Sequence, residues 1–179
     1  MTVIVGYVDT VKKEMLLSGD TMAVSGDDVK HYLKTKIYSY PQHKMLLGFA
    51  GNTSIIQKIV HELNIPERDL GIETFEFICR DIRDSIEYFT EDEGNSDVGV
   101  LVAYEGGLFS IDLDGCVVEA TLNYHAIGSG QKTALGSLYT SEYLKPEADS
   151  ETKVFLAVKA ASEVIVDVGG EPTLIKMKY

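Results

Sequence analysis

Two stretches decide the fold: VIVGYV at residues 3–8 and VGVLVAY at residues 98–104. Both are rich in β-branched side chains and read as strands, yet neither alternates apolar with polar residues. A strand in an antiparallel sheet with one wet face alternates with a period of two, whereas an unbroken apolar run needs cover on both faces. The joints nearby are tight, with Gly106-Gly107 and Asp114-Gly115 supplying hairpin residues, so the strands are antiparallel neighbours. Two antiparallel sheets stacked face to face, each covered outside by helices, satisfy both requirements. The expected fold is an α+β, four-layer αββα sandwich.

The rest of the chain fits that plan. Strands are expected at 2–8 and 14–18, joined by a polar turn at 9–13, with shorter extended pieces near 22–25, 36–40 and 44–49. A helix over 53–63 aligns Ile55, Ile56, Ile59, Val60 and Leu63. A second, about 72–89, aligns Phe75, Ile78, Cys79, Ile82, Ile86 and Phe89. The polar run TEDEGNSD at 90–97 reads as a solvated loop before strands at 98–104, 107–112 and 116–120. AIGSG at 126–130 precedes a helix near 131–144. Another, near 150–168, places Val154, Phe155, Val158, Ala161, Ser162 and Ile165 on one face before the Gly169-Gly170 stop. A last strand is expected at 173–177. With no repeat and no linker, residues 1–179 read as one domain.

Composition narrows the function. A chain of 179 residues, 45% hydrophobic and 25% charged, can bury an ordinary globular core. Its net charge of −12, from 28 acidic and 16 basic residues, argues against a nucleic-acid partner, which would call for a basic face. Cys79 and Cys116 lack CxxC spacing and are expected to be buried thiols, and His31, His43, His61 and His125 show no HxH or HxxxH spacing. Neither a metal nor a cofactor is expected. The N-terminus lacks signal-peptide features and no apolar run approaches the ~20 residues that span a bilayer, so a cytoplasmic protein with no membrane partner is expected.

Thr2, GDT at 19–21, Lys36, GFAG at 48–51 and GSG at 128–130 are the places that could carry chemistry. Taken singly, each has a structural explanation: a strand start, a hairpin end, a solvated strand end, a turn, a helix cap. Taken in order, they resemble the N-terminal-nucleophile hydrolases of the proteasome β-subunit and HslV kind, over almost the whole chain. In that family a threonine exposed by processing is followed by Gly/Ala-Asp-x, a lysine sixteen residues further on, Gly-x-Ala-Gly, and Ile-Gly-Ser-Gly before a helix. Here Thr2, Asp20, Lys36, Gly51 and Ser129 occur in that order, with Lys36 sixteen residues beyond Asp20.

The resemblance implies a role for each. Thr2, once Met1 is removed, carries a hydroxyl nucleophile and a free α-amine that serves as base. Lys36 keeps that amine neutral by like-charge repulsion, Asp20 fixes Lys36, Gly51 N–H receives the oxyanion, and Ser129 orients amine and water. It also implies peptide or unfolded-protein substrates, self-association into rings and an unfoldase ATPase as partner. The chain departs from the family twice: its first hairpin is two residues longer, and in IVDVGG Val168 stands where the family has serine, with Asp167 out of place. A catalytically inactive structural or assembly subunit of the same fold is the alternative. GSGQKT does not make a phosphate-binding P-loop, because Ala126 and Gln131 occupy the positions that need glycine.

Overall fold

The fold was taken from a computed structural model that describes residues 1–24, 30–90, 98–112 and 114–179. Its first six strands are β1 (Ile4–Asp9), β2 (Glu14–Gly19), β3 (Met22–Val24), β4 (Lys30–Tyr32), β5 (Ile37–Tyr40) and β6 (Met45–Gly51). The others are β7 (Val98–Tyr104), β8 (Gly107–Ile111), β9 (Val117–Glu119), β10 (Tyr124–Ile127) and β11 (Thr173–Lys178). The helices are α1 (Thr53–Glu62), α2 (Thr74–Phe77), α3 (Arg83–Glu87), α4 (Gln131–Leu144) and α5 (Ser150–Val164), with a π turn (Ile78–Ile82) joining α2 to α3.

The sheets run in the orders β10-β1-β2-β11 and β5-β6-β7-β8-β9, and β3 pairs with β4 apart from them. Every pairing is antiparallel. The two apolar runs explain the layering. Val3, Val5 and Tyr7 pack beneath α4 and α5, against Ala134, Leu138, Val154 and Val158. Ile4 and Val8 point the other way, into a layer shared with Leu46, Leu101 and Ala103 of the facing sheet. From β7, Val98, Val100, Val102 and Tyr104 face α1 and the α2–α3 stretch. Each strand is thus covered on both faces, and the architecture is the four-layer αββα sandwich.

The two sheets come very close where glycine permits it. A Cβ on Gly48 would lie 2.5 Å from Ile4 Cγ2, and one on Gly6 would lie 2.9 Å from Leu108 Cδ2. Val3, Ile4 and Val5 are fully buried, and each such side chain contributes about 1.5–3 kcal/mol on burial. The strand therefore holds the chain start in place, and with it the residue just before Val3.

Several expectations need correction. The helix expected over 72–89 spans 74–87 and contains the π turn, whose wider winding shifts the register. Phe77 is buried as a result and Phe75 is not. The helix expected to reach 168 ends at Val164, because Ile165 is extended (φ −104°, ψ 116°). Its buried stripe is Val154, Ala157, Val158 and Ala161, with Phe155 outside it. Small residues are required there, since a Cβ on Gly130 would come within 3.0 Å of Ala161 Cβ. β4 and β10 were not anticipated. Cys79 is half-buried and Cys116 exposed, the latter in a turn where its N–H donates to Asp114 Oδ1. Thr90 is buried, and the rest of the loop expected at 90–97 lies outside the described residues. Among the described residues no helix is long and apolar enough to cross a membrane, and no His/Cys/Asp/Glu group could hold a metal.

Candidate active site

β1 is paired on one side with β2 and on the other with β10, with Ile4 opposite both Gly19 and Ile127. The chain just before it therefore enters between the Asp20 end of one neighbour and the Ser129 end of the other. Asp20 N–H donates to Val3 O at 3.2 Å, and Val3 N–H donates back to Asp20 Oδ1 at 3.0 Å. On the other side Thr2 N–H donates to Ser129 Oγ at 3.1 Å, while Ser129 Oγ–H and Gly130 N–H each donate to Thr2 O at 3.2 Å. Gly128 makes that grip feasible. Its φ is +90°, and a Cβ there would collide with the Thr2 carbonyl oxygen.

Lys36 reaches the same point from the facing sheet, its backbone carbonyl accepting from Phe49 N–H at 3.0 Å. Its Nζ lies 2.9 Å from Thr2 Oγ1 and 2.9 and 3.0 Å from Asp20 Oδ1 and Oδ2. It also donates to the carbonyl oxygens of Met22 and, at 3.3 Å, Met1. Lys36 is 5% exposed and Asp20 0%, so this pair is screened from water. Burial pushes the Lys36 ammonium below its ordinary range, and the Asp20 carboxylate beside it pulls the other way. Asp20 Oδ2 also accepts from Gly169 N–H at 3.2 Å. Thr2 Oγ1–H donates to Met1 O at 2.6 Å.

Two clefts open on this cluster, one on each side of Thr2. The larger, about 680 Å³, is bounded by Ile127, Gly128, Ser129, Asp112 and Asp114. The smaller, about 340 Å³, is bounded by Ala23, Lys34, Tyr38, Phe49, Ile56 and Val60. Met1, Thr2 and Gly51 belong to both. Of the five residues singled out from sequence, Thr2, Asp20, Lys36 and Ser129 thus meet through side-chain hydrogen bonds. Gly51 lies beside them at the divide between the clefts.

The Met22 carbonyl and the Gly169 N–H were missed as anchors of the Lys36–Asp20 pair. Both act through main chain, and only the Gly169-Gly170 pair left a trace in the sequence. Val168 is buried in the core, and Asp167 has no hydrogen-bond or ion-pair partner among the described residues, so the chain places no auxiliary carboxylate–hydroxyl pair there.

The layered fold is that of the N-terminal-nucleophile hydrolases. The chain belongs to the proteasome subunit family, whose model matches residues 4–178. It is similar to the proteasome subunit beta of Rhodococcus jostii, at 28% identity over 181 residues covering 90% of this chain. It spans 58% of the length of that relative. Among solved structures it is similar to Thiobacillus denitrificans BPH in complex with epoxomicin, with a TM-score of 0.77, 22% identity, and 99% and 98% of the two chains covered. HslV from Trypanosoma brucei matches with a TM-score of 0.77, 18% identity, and 99% and 100% coverage. At these identities the structural matches speak for the fold.

Proposed function

We propose that the protein is a threonine peptidase that cuts peptides or unfolded proteins with Thr2 as nucleophile, after the Met1–Thr2 bond is cleaved. The observation that carries this reading is the contact of Lys36 Nζ with both Thr2 Oγ1 and the buried Asp20 carboxylate, at the divide between two clefts. Thr2 Oγ attacks the peptide carbonyl carbon, and its proton passes through a water to the freed α-amine. The oxyanion is received at Gly51, beside the N-terminus of α1. Collapse breaks the C–N bond, the leaving amine takes the proton, and an ester on Thr2 remains for water to hydrolyse. Lys36 keeps the α-amine neutral and therefore basic, and Ser129, already bonded to Thr2 N, orients it.

The second reading is an inactive subunit of the same family, favoured by Val168, which stands buried where the family has serine. With Met1 attached, Thr2 N is an amide, and the Met1 carbonyl accepts from both Thr2 Oγ1 and Lys36 Nζ. The machinery is capped in that form. Intact mass decides the form, and hydrolysis of a fluorogenic peptide decides the activity. Peptidase activity in protein that has lost Met1, absent from Thr2→Ala, supports the first reading. Protein that retains Met1 when produced in its own host supports the second. Rings of this chain around an enclosed chamber, fed by an ATPase that unfolds substrates, complete the proposal.

A further inference from the structure

Among the described residues, the side chains of the two clefts carry opposite charge. In the smaller, the basic side chains among the described residues are Lys34, Lys36 and His61, with no carboxylate beside them in the lining. Lys36 is neutralised by Asp20 at 2.9 Å. Lys34 is exposed and has no ion-pair partner among the described residues, so its charge faces the cleft uncompensated. Thr53, the first residue of α1, also lines this cleft and adds the positive end of a helix dipole. A basic mouth is unexpected in a chain of net charge −12. Behind it the walls are apolar: Tyr38, Phe49, Ile56 and Val60.

In the larger cleft the charged side chains, among the described residues, are those of Asp112 and Asp114. His125 stands close enough to Asp112 to feel its charge, but burial holds that imidazole below its ordinary range. At neutral pH it stays uncharged and leaves Asp112 uncompensated.

Proton chemistry tells which cleft takes which half of a substrate. The leaving amine must collect a proton from the relay that removed it from Thr2 Oγ1, and that relay runs through Thr2 N, bonded to Ser129 Oγ at 3.1 Å. Ser129 lines the larger cleft, so the leaving half lies there. The acyl half lies on the Lys36 side, where Ala23 and Val24 of β3 offer main chain to an extended peptide.

Resting on the peptidase reading, we propose that the site selects opposite charges across the bond it cuts. A side chain with an apolar stem and a carboxylate tip, as in glutamate, is favoured just before the bond. A basic side chain is favoured just after it. Partly exposed ion pairs of this kind are worth up to about fivefold each, and they weaken as salt rises.

The test uses peptides identical except at those two positions, carrying Glu-Lys, Gln-Gln or Lys-Glu. Cleavage by the wild-type protein is followed by mass spectrometry, and binding to Thr2→Ala by fluorescence anisotropy. The Glu-Lys peptide is expected to exceed Lys-Glu by about tenfold at low salt, with the ratio shrinking toward one near 0.5 M salt. Lys34→Glu inverts the preference before the bond, and Asp112→Asn with Asp114→Asn removes the preference after it. Equal cleavage of all three peptides, or the reverse order, overturns the proposal. Absence of cleavage with the same order of binding to Thr2→Ala upholds the charge selection and removes the peptidase reading. Absence of cleavage with charge-indifferent binding overturns both.

Discussion

Lys36 Nζ lies 2.9 Å from Thr2 Oγ1 and 2.9 Å from Asp20 Oδ1, so one buried cation touches the hydroxyl and its own counter-ion. Removing either partner leaves the other charge buried and unpaired, which costs about 3–5 kcal/mol, whereas replacing both at once costs far less. Lys36→Met is therefore expected to lower stability by about 3 kcal/mol or more and turnover by about 10² or more. Adding Asp20→Asn to it should recover much of the stability and none of the activity. Urea titrations and peptide hydrolysis on Lys36→Met, Asp20→Asn and the double variant check this, and additive losses of stability would contradict the coupling.

Thr2→Ala tests the nucleophile itself. The side chain makes hydrogen bonds to Met1 O and Lys36 Nζ, while Val3, Ile4 and Val5 hold the strand. Hydrolysis should vanish with stability lowered by no more than about 3 kcal/mol, the upper scale of a hydrogen bond to a charged group. Turnover above background in that variant removes Thr2 from the mechanism.

Gly128→Ala examines positioning without touching a reactive group. A methyl at φ +90° is strained, and here it would also collide with the Thr2 carbonyl oxygen. The expected result is a loss of about 1–3 kcal/mol in stability with a fall in kcat larger than any change in KM, because Thr2 is displaced. Wild-type kcat in a folded Gly128→Ala protein would show that the grip on Thr2 does not matter.

Much of this was legible in the sequence because it rests on side-chain pattern. The unbroken apolar runs of β1 and β7 announced two covered faces, and the family resemblance carried by the order of Thr2, Asp20, Lys36 and Ser129 implied residues that converge in space. What escaped notice rests on backbone. The Gly169 N–H that binds Asp20 sits 149 residues away and has no side chain to advertise it. The π turn at 78–82 leaves an apolar periodicity that still looks α-helical, so Phe75 was assigned the place Phe77 occupies. Cys116, followed by Val117 and Val118, reads as the first residue of a strand but belongs to the turn made by Asp114 and Gly115.

His125 gives the fold a pH dependence of definite sign. Its folded pKa is pushed below the ordinary value of 6.5 by burial, partly offset by Asp112. As pH falls below about 6.5 the unfolded chain takes up a proton that the folded chain resists, so stability drops until the folded imidazole also titrates. Wild-type Tm should therefore fall more steeply than that of His125→Gln between about pH 7 and 5. Parallel curves would show that His125 does not carry the effect, whatever the carboxylates contribute.

Self-association is the last expectation, and the surface sets its salt dependence. Tyr139 and Tyr143 stack on the outside of α4 at a centroid distance of 6.5 Å, and with Leu144 they leave a large apolar surface in water. Single exposed apolar residues are ordinary, but three on one helix end favour burial against another protein surface. A net charge of −12 on every copy opposes that contact at long range. Salt screens the repulsion over about 10 Å at 0.1 M and leaves the apolar contact intact or stronger. Particles of many subunits should therefore grow at the expense of the 19.7 kDa chain as salt rises, in sedimentation velocity at micromolar concentration. Replacing Tyr139 and Tyr143 with glutamate should shift the distribution back toward smaller species. A single species of monomer mass at every salt concentration would remove the chamber from the proposed function and leave Thr2 open to solvent.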